Sequence, residues 1–150
     1  MANIQGEIVI KRPPDVVFDC VADERNEPRY NPRMLSVEKL SEGEIGLGTR
    51  FRAETGRASR TTEMVIEFTA YERPCRLASS TRMTSVDIRG SLTFDPVPEG
   101  TLMRWQWEVR PHGALRLLTP LIVFLGRRQE QAVWAGLKRL LEEQESSTEP

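Results

Sequence analysis

The chain has 150 residues, of which 39% are hydrophobic and 29% charged, the make-up of one folded domain and not of a disordered or membrane-embedded chain. Its 21 basic residues against 22 acidic ones leave a formal net charge of -1, without the basic excess that marks a nucleic-acid binder. Cys20 and Cys75 stand far apart and outside any CxxC spacing, which argues against a disulfide framework or a cysteine-built metal site and for a reducing interior.

The first element alternates, with Ile4, Gly6, Ile8 and Ile10 on one face and Gln5 and Glu7 on the other, the period of a strand. Pro13 and Pro14 stop it, because proline has no amide hydrogen for a ladder. Pro14 and Asp15 suit the first turn of a short helix whose apolar side is Val16, Val17, Phe18, Cys20 and Val21. The run Asp23 to Pro28 is expected to break that helix, leaving at most one further turn at Arg29-Tyr30-Asn31-Pro32.

From Leu35 to Arg110 the pattern is strand, turn, strand. Phe51, Ala53 and Thr55 alternate with Arg50, Arg52 and Glu54; Met64, Ile66, Phe68 and Ala70 with Glu63, Val65, Glu67 and Thr69. Val86, Ile88, Gly90, Leu92 and Phe94 alternate with Asp87, Arg89, Ser91 and Thr93, and Met103, Trp105, Trp107 and Val109 with Arg104, Gln106, Glu108 and Arg110. One-sided strands at hairpin spacing describe an antiparallel sheet with one wet and one covered face. The cover must be the last element, a helix running to about Glu143. Its second half is amphipathic, with Val133, Leu137, Leu140 and Leu141 on one side, while its first half, Leu115 to Leu125, is apolar almost all round. Pro120 bends it or separates a short turn from the long segment.

The segment Ala114 to Gly126 is interrupted by Arg116 and Pro120 and is too short to span a bilayer. No secretory signal is visible at the amino terminus, so a cytoplasmic location is expected. The reading is α+β, in the order β-α-α-β(6)-α, with a single domain over 1–145 and a disordered acidic tail over 146–150.

In that order the chain resembles the SRPBCC superfamily of START-like, helix-grip proteins, and within it the polyketide cyclase/dehydrase-like group. The resemblance is carried by Arg12-Pro13-Pro14-Asp15-Val16-Val17-Phe18, by Ala22 to Glu27 and by Tyr30-Asn31-Pro32. Gly46-Leu47-Gly48-Thr49-Arg50-Phe51, Gly100 to Trp105 and the closing Leu137 to Glu142 continue it. It implies the helix-grip fold, a seven-stranded antiparallel sheet wrapped around a long C-terminal helix, with an apolar cavity between them. Such proteins bind lipids, sterols, polyketides or plant hormones, and some cyclise or dehydrate a polyketide. The group has no universal catalytic motif, so the resemblance assigns no catalytic residue.

The ligand-lining set expected on this basis is Tyr30, Phe51, Met64, Phe68, Ile88, Trp105, Trp107, Leu121, Phe124 and Leu125. Trp105 and Trp107 sit side by side on one strand face, where they either stack on a flat ligand or simply fill the core. His112, the only histidine, has the right pKa for proton transfer but no partner spacing, and a capping or surface role fits its setting between Pro111 and Gly113. Arg82 and Asp87 face solvent unless the register slips by one residue, and Met34, Met64, Met83 and Met103 are pliable fillers. Arginines on the wet face alternate with acidic residues, as cross-strand ion pairs do. No P-loop, GxGxxG, HExxH or zinc spacing is present, so no cofactor and no metal is expected.

The leading expectation is a protein that binds a small hydrophobic molecule between sheet and helix, as a monomer or homodimer, without nucleic acid. The alternatives are a polyketide cyclase, aromatase or dehydratase, which needs an ionisable group in the cavity, and an interaction module using the apolar start of the last helix.

Overall fold

Period-two patterning becomes seven strands, seen in a computed structural model that describes residues 2–57 and 60–148. They are β1 (Ala2–Ile10), β2 (Met34–Lys39), β3 (Arg50–Arg57), β4 (Arg60–Glu72), β5 (Arg76–Met83), β6 (Val86–Val97) and β7 (Gly100–Pro111). They form one antiparallel sheet in the order β1-β7-β6-β5-β4-β3-β2, so only the β1–β7 neighbours are non-consecutive. The helices are α1 (Pro14–Ala22) and the long α2 (Thr119–Thr148). This is the α+β helix-grip architecture expected from the sequence.

Register follows the alternation. Trp105 lies opposite Gly6 and Leu92, Trp107 opposite Ile4 and Gly90, and Phe51 opposite Ile66, all on the inner face. A bulge between Phe68 and Ala70 shifts the phase of β4, so that Tyr71 lies opposite Leu77 and joins the core. At Gly6 an added Cβ would stand 2.4 Å from Cζ2 of Trp105, so the indole lies directly on the β1 backbone. Gly6→Ala is expected to displace that ring, lower stability by about 1–3 kcal/mol and alter the near-ultraviolet circular dichroism. An unchanged spectrum would contradict this packing.

α1 starts with Pro14 in its first turn and Asp15 against the helix dipole, and it buries Val17, Phe18, Val21 and Ala22. The expected break after it is instead a 3-10 helix, Glu24–Arg29. The Asp23 carboxylate accepts from the Arg25 amide at 3.1 Å and so satisfies an otherwise orphan donor, which starts the turn despite its polar composition. A second 3-10 segment, Gly113–Leu118, precedes α2, with Pro120 in the first turn of that helix. Of the expected disordered tail, residues 146–148 continue α2, and 149 and 150 lie outside the described residues.

α2 lies along β1. Its second half buries Val133, Trp134, Leu137 and Leu141 in the main core. Clamps hold it there: the Arg12 guanidinium donates to the Leu141 carbonyl at 2.7 Å and the Lys138 ammonium to the Val9 carbonyl at 2.9 Å. Its first half packs Ile122 and Val123 against Ala2, Ile4 and Val109. The expectation that Leu121, Phe124 and Leu125 face the sheet is corrected here: they are 51%, 57% and 54% exposed. With 3.6 residues per turn, a helix docked through Ile122, Val123 and Gly126 must turn Leu121 and Leu125 outward. Among the described residues no helix is long and apolar enough to cross a membrane.

Candidate functional site

Because α2 follows β1, it leaves the inner face of β4–β6 incompletely covered. Met64, Ser79, Thr81, Met83 and Ile88 point inward there yet keep accessible surface. These inward-facing side chains, Met64 and Ile88 of the expected set among them, are thus only partly covered, and the space over them is termed the recess. Gly90 in β6 carries no side chain and stands beside the Trp107 ring. Phe51, Phe68 and Trp105, by contrast, are at most 2% exposed and fill the core.

One carboxyl stands beside this face, against Trp107. Glu130 of α2 presents Oε2 to two indole donors, Trp107 Nε1 at 2.9 Å and Trp134 Nε1 at 2.7 Å. Trp134 also packs near Trp105 and Tyr30, with ring centroids 6.1 and 6.2 Å away. Burial pushes the Glu130 carboxyl up to about 7, the two indole N–H groups pulling the other way and the neighbouring Glu27 adding to the rise. Near neutral pH it is therefore divided between acid and carboxylate.

A second acidic group comes from the 3-10 turn. Burial, and then the neighbouring Glu27, raises the Glu24 carboxyl well above the usual carboxylate range, and Glu27 Oε1 accepts a hydrogen bond from Asn31 Nδ2 at 2.9 Å. Burial, with the same glutamates, raises the Tyr30 phenol well above its ordinary value, so its hydroxyl keeps its proton. Among the described residues that hydroxyl has no hydrogen-bond partner, and neither does Oε1 of Glu130. Among the described residues no fully buried side-chain polar atom is left unpaired, so neither oxygen is fully enclosed. One can donate; the other donates or accepts according to pH.

The other sequence candidates lie elsewhere. His112 Nε2 meets Asp87 Oδ2 at 3.1 Å, but the two side chains are 45% and 43% exposed on the outer face, where Asp87 raises the imidazole pKa through that hydrogen bond. Arg82 is exposed on the same face. Two depressions of about 280 and 460 Å³ also lie there, floored by outward polar side chains such as Ser91 and Gln106. Among the described residues no group of three or more His, Cys, Asp or Glu is arranged to hold a metal.

Glu130 is the residue the sequence reading missed. It occupies the inward stripe Val123, Gly126, Glu130, Val133, Leu137, and a single acid in an otherwise apolar stripe was the available signal.

A family model described as polyketide cyclase/dehydrase and lipid transport matches residues 1–142. No curated protein matches the chain. Solved structures do. A START superfamily protein from Mycobacterium smegmatis superposes with a TM-score of 0.82 at 12% identity, over 95% of this chain and 99% of that one. An aromatase/cyclase from a Streptomyces species gives 0.78 at 14% identity, over 93% of each chain. A protein from Thermus thermophilus gives 0.78 at 19% identity, over 91% of this chain and 94% of that one. At these identities the likeness establishes the shared fold.

Proposed function

We propose that this chain, which belongs to the polyketide cyclase/dehydrase and lipid transport family, binds a small, largely apolar molecule in the recess between β4–β6 and α2 and holds its polar end at Glu130 and Tyr30. The observation that supports the reading is the pair of oxygens without a hydrogen-bond partner among the described residues, Glu130 Oε1 and Tyr30 Oη, set among the aromatic rings of Trp105, Trp107 and Trp134. Apolar contact supplies affinity, about 25 cal/mol for each Å² removed from water, less the cost of ordering the ligand. The two oxygens supply orientation, as a few convergent polar groups do in apolar sites.

The test uses 1-anilinonaphthalene-8-sulfonate, whose emission rises in apolar surroundings. Saturable uptake at one site is expected, with affinity about tenfold weaker (about 1.4 kcal/mol) in Ile88→Trp, which fills the recess. Absence of uptake, or equal uptake by the variant, would sink the reading.

One observation favours a second reading, an acid–base enzyme acting on a polyketide-like substrate. A carboxyl near pH 7 is matched to moving a proton at physiological pH, and the Tyr30 hydroxyl suits a developing oxyanion. The two readings separate on Glu130→Gln: a binding protein keeps its ligand, whereas an enzyme keeps the ligand and loses turnover.

A further inference from the structure

We propose that the solvent-facing side of the Gly113–Leu118 turn and the first turns of α2 docks onto an anionic lipid surface. Leu117 is 85% exposed and Leu118 48%, and they adjoin the exposed Leu121, Phe124 and Leu125. A soluble monomer rarely leaves so many large apolar side chains contiguous without a use for them. This side lies opposite Val123, Gly126 and Glu130, so the sheet cannot cover it.

Charge selects the occupant. Between Glu108 and Glu130 there is no acidic residue, while Arg116, Arg127 and Arg128 stand exposed beside the apolar side chains. The chain as a whole is at -1, so this excess is local. Among the described residues none of the three forms an ion pair, whereas Arg52, Arg104 and Arg110 on the outer sheet face are matched with Glu38 and Glu63, Glu7 and Asp95, and Glu108. An apolar stripe flanked by unneutralised arginines fits the boundary between acyl chains and anionic headgroups. A second copy fits worse, because a twofold contact would bring the same arginines together.

This surface is separate from the recess, so its test stands apart from the ligand reading. The full chain is floated with vesicles of equal parts phosphatidylcholine and phosphatidylglycerol, and with vesicles of phosphatidylcholine alone. Flotation with the mixed vesicles only is expected. Arg127→Gln with Arg128→Gln should weaken it about fivefold per arginine, and Leu121→Glu with Phe124→Glu should abolish it. All four positions are exposed, and an unchanged thermal midpoint would verify folding. The proposal is overturned by wild-type chain that floats with neither vesicle, by arginine variants that float equally well, or by light scattering that finds a dimer which Leu121→Glu with Phe124→Glu dissociates.

Discussion

Glu130→Gln is expected to flatten the fall in stability between about pH 5 and pH 8 and to leave the protein about 3 kcal/mol more stable than wild type at the upper end. Burial raises this carboxyl from the ordinary value of 4.5 to about 7. Below the unfolded value both states carry the proton and the group contributes no penalty. As pH climbs through the window the unfolded chain releases its proton while the native one retains it, so unfolding is favoured increasingly until the native carboxyl also ionises. Glutamine keeps an acceptor for the Trp107 and Trp134 indoles and has nothing to ionise. Urea unfolding of both proteins across this range checks it. Glu24, raised in the same direction, is present in both, so the difference between the two curves isolates Glu130. Parallel curves would remove the perturbed carboxyl from the account.

Phe18→Ala is expected to cost about 3–5 kcal/mol, a large share of the stability of a domain this size. Phe18 is fully buried, and its ring meets Tyr71 and Phe94 edge-on, each with centroids 5.2 Å away. It is the side chain that fastens α1 onto β4 and β6, and the Glu24–Arg29 turn that supplies Glu24 and Glu27 hangs from the end of α1. The alanine variant leaves a cavity that neighbouring strands cannot close, whereas Phe18→Leu should cost less than half as much. A loss below about 1 kcal/mol for the alanine variant, read from urea midpoints, would mean that α1 does not depend on this contact.

The sheet was legible because each strand has one wet face: the parity that put Trp105 and Trp107 together with Phe94 and Leu92 is the parity of the register. The β4 bulge was not, since an extra residue leaves no mark in a hydrophobic pattern that continues with Tyr71. Glu24–Arg29 lacks any apolar period, so only the Asp23 cap announces its helix. The rotation of α2 was hidden for the opposite reason, as a half-helix apolar on every side has no preferred face to read. Its orientation is fixed instead from outside, by the clamps to Leu141 and Lys138 and by the space that Gly126 leaves for Ile4. Tyr30 was reached only through the family resemblance, which sets Tyr30-Asn31-Pro32 at the cavity mouth, since the prolines around it describe no more than a turn. Glu130 escaped notice because acids on a surface helix are ordinary.

The chain has three tryptophans, and all of them belong to one aromatic group: Trp105 faces Trp134, while Trp134 and Trp107 share a single carboxyl oxygen. Tryptophan emission, excited selectively beyond the tyrosine band, therefore originates wholly in this group beside Glu130, with no other indole elsewhere to dilute it. The molecule carries its own optical gauge, which would register the proposed guest, or Glu130 changing its protonation, without any attached dye.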